Sequence, residues 1–509
     1  MRTTFSGIEL ARRALRAQQR SLDVVGHNVA NANTPGYSKQ VATHSATNPY
    51  AAPGFHGNPG SGQVGTGVEV SQITRQRDQF VEMRLRQENH NLGYWDAVDK
   101  GLSQVELIFN EPSDYNIHQA LDNYWDSLQE LSKNPQDESA RAVVLQRAEV
   151  LTETIRHTHS QLSKQRENYN DLLAVKASDV NSLAERIAQL NDQIGKVRAS
   201  GQNPNDLMDK RDVLLEELSA LTNIEVVEDS TGMVLVSISG AALVQRNQHY
   251  TLAVDSDMNP ADYGRNEIVW ESSGQPVEIA NGEIAGLIHF RDHEVQGFID
   301  DLDSWAEQLL ETVNAIHKAG YGLDDAYDPT SDPDDWPGEG AGRPFFTIGA
   351  GTSPAADIRL AVTNPRDLAV SRAFDSDTGE IIEGNGDIAL ALAALRHTPP
   401  AQVLEAVFAG DVPEEAVGAD DRSTLGIQFN AIVSGLGVKG AKAATMVENE
   451  RVLVSHLENL RESVSGVSLD EEMADMIRYQ HAYSAAARMM TAMDEALETI
   501  INRMGLVGR

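Results

Sequence analysis

The sequence predicts a multidomain α+β protein with a terminal α-helical coiled coil, a long helical rod domain and a mixed, mostly β outer domain. Three observations predict it. Apolar residues recur at helical spacing at both ends of the chain. A stretch with no proline between Pro135 and Pro204 carries a sustained apolar repeat of threes and fours. After residue 224 the period shifts to short β-branched runs separated by turn residues. The 509 residues suffice for two to four domains with cores of their own.

At the N-terminal end, Ile8, Leu15, Leu22 and Val29 recur every seven residues, with Ala11, Gln18 and Val25 between them. This is a heptad seam with one polar interruption. Pro35-Gly36 ends it, because proline cannot continue a helix and glycine is free to turn. Residues 44–67, rich in Gly, Pro, Ser and Thr, read as an irregular loop. Helical pattern resumes near Arg75 and breaks at Glu111-Pro112, and a shorter helix fits 117–131 before Asn134-Pro135. From Ile155 the repeat passes through Leu162, Tyr169, Leu173, Val180, Leu183, Ile187, Leu190, Ile194 and Val197. Only His159, Arg166 and Lys176 interrupt it. A helix over the proline-free stretch is about 90 Å long at 1.5 Å per residue, a rod.

Strands are expected at 224–228 and 233–239, joined by the hairpin signal Asp229-Ser230-Thr231-Gly232, and again at 250–254 and 267–270. A helix follows at 283–318, with His317 and Lys318 in its last turn and Gly320 as its cap. Residues 320–342 hold seven acids, three prolines and no Lys or Arg, an acidic surface loop. Residues 343–420 mix strand-like and helical pieces without a clear period, and 424–461 turn helical again. The last helix, 469–504, has its seam at Leu469, Met473, Met476, Gln480, Tyr483, Ala487, Met490, Asp494, Leu497, Ile501 and Met504. The domain plan is therefore 1–45 with 465–509 as the terminal coiled coil, 46–224 with 425–464 as the rod, and 225–424 as the outer domain.

Composition narrows the function. A net charge of −35 argues against a nucleic-acid partner, since binding phosphate needs clustered Lys and Arg. No apolar run approaches the roughly 20 residues that span a bilayer, and no apolar stretch follows Met1–Ser6, so neither a membrane nor a cleaved signal peptide is expected. With no cysteine there is no disulfide and no thiolate site. No nucleophile elbow, P-loop, dinucleotide fingerprint or His-Glu-x-x-His stands in the chain, and neither catalysis, nor a cofactor, nor a metal is expected. His289 and His293 lie four apart without a third ligand and read as structural, and the acidic loop lacks the spacing of a calcium-binding EF-hand.

The ends differ in charge. Residues 1–45 hold six Lys/Arg against two Asp/Glu, whereas 465–509 hold four Arg against seven Asp/Glu. Burying the four large residues of the first seam contributes on the order of 6–12 kcal/mol. Ordering the backbone costs roughly 1–2 kcal/mol per residue, so each end needs a partner surface. Residues 1–40 and 466–509 are therefore expected to be mobile in the free monomer and to fold on assembly.

The segment Asn28-Val29-Ala30-Asn31-Ala32-Asn33-Thr34-Pro35-Gly36-Tyr37-Ser38-Lys39-Gln40 resembles the N-terminal signature shared by rod, hook and hook-associated proteins of the bacterial flagellar axial family. Here His27 stands where an Asn is frequent and Lys39 where Arg is common. Asn28, Asn31, Thr34, Pro35, Gly36, Tyr37 and Gln40 are the assembly residues this implies. Within the axial family, Leu207-Met208-Asp209-Lys210-Arg211-Asp212-Val213-Leu214 is similar to a stretch of the hook–filament junction type, the first hook-associated protein. The segments 286–292, 314–320 and 465–472 are similar to it as well, while 321–424 match nothing. The resemblance implies a structural protein that polymerises as a ring zone at the hook tip, between the hook protein and a second junction protein beside the flagellin filament. It implies an extracellular location reached by type III export without a cleaved signal. It also implies an export chaperone docked on the stripe of Met473, Met476, Tyr483, Met490 and Leu497. The alternatives are another axial protein, such as a hook subunit, and an adhesin or enzyme carried on an axial scaffold. A hook subunit is disfavoured by the long helical stretch at 75–220.

Overall fold

The computed structural model describes residues 5–49, 65–109, 116–256, 265–325, 342–349, 353–373, 382, 384–409 and 424–503. The break at Pro112, residues 326–341 of the acidic loop, Met504 and the side chain of Ile501 lie outside these residues. The chain forms two compact units. One comprises Met1–Tyr94, Val175–Ile284 and Glu448–Arg509, and the other Trp95–Ala174 and Ala285–Val447. The span 225–424, expected as one outer domain, has its larger sheet in the first unit and its short helices in the second.

In the first unit, helix α1 (Ser6–Asn31) leads into the antiparallel pair β1 (Gln40–Ala46) and β2 (Val68–Arg75), whose register shifts at a bulge between Thr43 and His44. The sequence places an irregular loop at 44–67 and assigns no strand on either side of it. The alternation of Val68 and Val70 carries the signal, but neither strand has a buried face, so no apolar run marks them. Helix α2 (Gln79–Phe109) begins in this unit, and α3 (Ile117–Lys133) lies in the other. The long helix α4 (Glu138–Ala199) runs 62 residues, and α5 (Asn205–Leu221) follows it. Ile155, Leu162, Leu173, Val180, Ile187 and Ile194 of the α4 repeat are fully buried.

Strands β3 (Ile224–Glu228), β4 (Val234–Ile238), β5 (Ala241–Gln245) and β6 (Gln248–His249) make an antiparallel meander, and β7 (Leu252–Ser256) pairs with β8 (Asn266–Trp270). The β3–β4 turn forms because the Asp229 carboxylate accepts from the Thr231 and Met233 amides, with Gly232 at φ 80°. Asparagines on α4 tie these strands down. The Asn191 amide donates to the Val234 and Arg246 carbonyls and accepts from the Val234 amide, and Asn181 clasps Leu252 in the same way.

In the second unit, α3 is capped by Asn116, whose side chain accepts from the Gln119 amide at 2.7 Å. It buries Leu121, Tyr124, Trp125 and Leu128. The helix expected at 283–318 is interrupted. Helix α6 (Glu283–His289) passes into a π-helical turn, Phe290–Val295, before α7 (Gln296–Lys318). The wider turn lets two successive residues reach α4. Phe290 stacks on Tyr169 with ring centres 4.5 Å apart, and Arg291 donates to Asn170 at 2.8 Å. The remainder comprises β9 (Phe346–Ile348), α8 (Pro354–Asp357), β10 (Ile358–Leu360), α9 (Asp387–Ala394), α10 (Pro400–Ala409) and the start of α11 (Leu425–Ser465). In it β9 pairs with β10, and Asn314 of α7 clasps Phe345 and Phe346.

Among the described residues each unit buries one neutral histidine. The His317 ring donates from Nδ1 to the Arg343 carbonyl and accepts at Nε2 from the Ala369 amide, at 2.8 and 2.9 Å. Burial pushes its pKa down to about 4. In the first unit His90 Nε2 accepts from the Ile224 amide, and burial, then the Arg86 charge, lowers it to about 4. Both folded pKa values lie below the unfolded 6.5, so the stabilisation is complete above pH 6.5 and drains away as pH falls towards 4. We expect up to about 3 kcal/mol lost per unit over that window, read as a falling thermal midpoint. An NMR titration should show both rings neutral at pH 5.

Candidate assembly site

The last helix, α12 (Leu469–Arg503), runs antiparallel to α1, with Gly7 against Met493 and Asn28 against Glu472. Gly7 lets the Met493 thioether lie against the α1 backbone, since a Cβ there would stand 2.9 Å from its Sδ. The two helices bury small and medium side chains. On α1 the buried positions are Ala11, Ala17, Ser21, Val24, Val25 and Asn28, and on α12 they are Glu472, Ala486 and Leu497. The large residues of the expected first seam, Ile8, Leu15, Leu22 and Val29, flank this contact and stay partly exposed. On α12 the seam is displaced likewise. Met490 is half-buried and Leu497 buried, while Leu469, Met473, Met476 and Tyr483 face outward with Ile477. Close approach selects small side chains, and that leaves the large apolar ones for another surface.

At the α1 C-terminus the signature residues close a tight turn. Asn31 donates to the His27 carbonyl, the Thr34 amide donates to the Asn31 carbonyl at 2.9 Å, and the Tyr37 amide donates to the Thr34 carbonyl at 3.1 Å. Pro35 is exposed at its tip. Gly36 has φ 76°, and a Cβ would lie 2.2 Å from Val213 Cγ2 of α5. Gly36→Ala therefore adds left-handed strain, about 1–2 kcal/mol, to a clash with a stiff β-branched side chain. Val213→Ala in the same chain should restore the clash component only, which urea unfolding of the two variants separates.

Asn28 is the centre of the site. It is 1% exposed and uses its whole amide. Nδ2 donates to the Gln40 carbonyl (2.9 Å) and to Glu472 Oε2 (3.0 Å), while Oδ1 accepts from Tyr37 Oη (2.7 Å) and the Gln40 amide (3.0 Å). Burial, then the charges of Asp206, Asp209 and Glu472, raises the Tyr37 pKa, which keeps the phenol protonated to donate. Glu472 meets Lys39 Nζ at 3.3 Å, and the Lys39 amide donates to the Ser465 carbonyl at 2.8 Å. Gln40 bridges Asp206 and Asn205 of α5 at 2.7 and 3.1 Å.

The third strut is α5. Asp209 accepts from the Ser38 amide and hydroxyl, and Arg75 joins Asp209 to Asp212 at 2.7 and 2.8 Å. Asp212 also meets Arg77. Segments 28–40, 207–212 and 465–472, hundreds of residues apart, thus form one hydrogen-bonded knot. Sequence reasoning names Asn28, Tyr37 and Gln40 but misses Asp206 and Glu472 as their partners, and Arg75 and Arg77 as the partners of Asp209 and Asp212. A groove of about 600 Å³ beside the turn is lined by His27, Thr34, Tyr37, Arg186, Asp206 and Lys210. Among the described residues no three His, Asp or Glu side chains gather as a metal site would need.

Comparison with known proteins agrees with this geometry. Residues 8–37 match the flagella basal body rod protein family, 461–504 the flagellar basal body rod FlgEFG protein C-terminal family, and 102–330 the flagellar hook-associated protein FlgK helical domain. Flagellar hook-associated protein 1 of Bacillus subtilis (strain 168) is 32% identical, covering all of both chains. That of Escherichia coli (strain K12) is 26% identical over 97% of this chain and 99% of its own. The solved flagellar hook junction protein FlgK from Burkholderia pseudomallei shares the fold at TM-score 0.58 and 17% identity, covering 75% of this chain and 100% of its own. With similarity running from end to end and the terminal knot built from its matched segments, the chain belongs to the flagellar hook-associated protein 1 family.

Proposed function

We propose that the chain is a structural protein of the hook–filament junction, polymerising at the hook tip as a ring between the hook protein and a second junction protein. The observation that carries this reading is the knot at Asn28. It fixes α1, β1, α5 and α12 to one another, yet leaves Leu469, Met473, Met476, Ile477 and Tyr483 uncovered on α12. A row of large apolar side chains open to water on a helix marks a face meant for a partner. The terminal pair of helices then packs in the inner tube, and the middle of the chain faces outward.

Exposed Met and Leu also suit docking into a groove on an export chaperone. Since one stripe cannot serve two partners together, chaperone binding precedes assembly, and release of the chaperone frees the stripe for the tube. Export proceeds through the flagellar type III apparatus to the cell exterior, and no catalytic step is involved. The test is electron microscopy of a strain lacking the chain, with an assay for flagellin in the medium. Hooks without filaments plus shed monomeric flagellin are expected. Normal filaments would overturn the junction role.

A further inference from the structure

Glu450 of α11 occupies an inward position, one turn before the buried Val454, and is itself only 8% exposed. Its carboxyl group meets that of Glu88 on α2 within hydrogen-bonding reach, and both residues belong to the first unit. One oxygen of Glu450, Oε2, is fully buried and no group donates to it. Glu88, whose side chain is 12% exposed, is better provided for. Arg84 Nη2 stands 3.5 Å from its Oε1, and the Asn91 amide donates to its Oε2 at 3.0 Å. Among the described residues no cation pairs with Glu450. The nearest charges on its own helix, Glu448 and Arg451, pair with each other at the surface.

Two carboxylates have no hydrogen to share, and side by side in a buried joint they repel. One proton turns that repulsion into a hydrogen bond from an acid to a carboxylate, which is of the strong kind. The donors around Glu88 hold it ionised, so the proton belongs on Glu450, whose hydroxyl then has Glu88 to donate to. We infer that Glu450 and Glu88 form a proton latch between α11 and α2, closed while Glu450 is protonated and opened when it ionises. Burial, and then the charge of Glu88, raise the Glu450 pKa above its ordinary 4.5. The folded pKa lies above the unfolded one, so the contribution is complete below pH 4.5 and is lost as pH rises through the folded value. This is opposite in sense to His90 and His317, whose contribution drains on acidification. A short turn at Gly466 links α11 to α12, so the latch sets how firmly the chain is seated where it enters the last helix.

The test is hydrogen exchange of the full-length chain, read at the α11 amides 448–454 between pH 5 and pH 8 and corrected for the intrinsic pH dependence of exchange. In the unaltered chain, protection should fall as pH rises. Glu450→Gln, whose amide donates to Glu88 at any pH, should hold it level and exceed the unaltered chain about tenfold at pH 8. Glu450→Ala removes donor and charge together, so it too should lose the pH dependence, at a lower protection than glutamine. An infrared difference spectrum, unaltered chain against Glu450→Gln, reads the proton directly. It should show the carbonyl stretch of one protonated acid persisting above the pH at which ordinary glutamates ionise. A band that titrates with the ordinary glutamates, or a pH profile that both substitutions leave unaltered, would overturn the proposal. So would protection at pH 8 that EDTA removes, since the two carboxylates would then hold a metal ion in place of the proton.

Discussion

Replacing Asn28 by alanine should cost about 3–5 kcal/mol and detach the filament, although the residue is neutral and touches no ligand. The estimate follows from what is left behind. The Gln40 amide and carbonyl both lose their partner inside a buried junction, and each unsatisfied group costs about 1–3 kcal/mol. Glu472, 1% exposed, loses a donor and keeps Lys39 as its counter-charge. The Tyr37 hydroxyl loses its Asn28 acceptor and keeps the His27 ring nitrogen as a partner. Asn28→Asp should be worse than alanine at pH 7, since it sets a second carboxylate about 3.0 Å from the first. The added acid holds its proton more tightly when folded, so lowering the pH should recover part of the loss for the aspartate variant and none for alanine. Hydrogen exchange of the β1 amides reads both effects. Equal stability of the two variants at pH 7 would show that Glu472 does not face Asn28.

How far this was legible in the sequence depends on what each element uses to hold itself. Helices α3, α4 and α12 are bounded by Asn, Pro and Gly at their ends and carry large apolar repeats, so their positions follow from residue types alone. The buried faces of α1 and α12 do not, because they include Ala11, Ala17, Ser21 and Ala486, which no search for large apolar residues ranks highly. The asparagine clasps are equally quiet. Nothing in the local sequence marks Asn181, Asn191 or Asn314, yet each replaces a strand neighbour by offering its side-chain amide to a backbone, as the signature residue Asn28 does. The π turn at Phe290–Val295 hides inside an unbroken helical pattern, since only the packing of Phe290 and Arg291 on α4 distinguishes it. The knot itself was legible as three motifs, but their convergence is a property of topology that linear order does not carry.

Removal of the Asp212 carboxylate should have an effect of similar size by a different route. Burial favours its neutral form, but the guanidinium groups of Arg77, Arg75 and Arg211 outweigh this and hold its pKa below the ordinary 3.8. Arg211 is 1% exposed and anchors α5 to the β3–β4 turn through the Gly232 carbonyl at 2.6 Å. With Asp212→Ala, three cations share what remains: Asp209 for Arg75, Glu82 for Arg77 and Glu228 for Arg211. Breaking one member of a buried ionic network costs about 3–5 kcal/mol, because the partners stay buried without their counter-charge. Exchange of the α5 amides should accelerate by about two or more orders of magnitude. Asp212→Asn keeps the shape and part of the hydrogen bonding, so its loss should be smaller. The folded pKa lies below the unfolded one, so the carboxylate's contribution is complete at pH 7 and is lost only below about pH 4. That window lies under the one set by His90 and His317, which makes acid unfolding of the unaltered protein a two-step descent. In Asp212→Ala the lower step should shrink, because Asp229 and the other carboxylates with lowered pKa remain, while the histidine step is unchanged. A lower step of undiminished size would show that Asp212 does not carry the charge balance of the α5 junction.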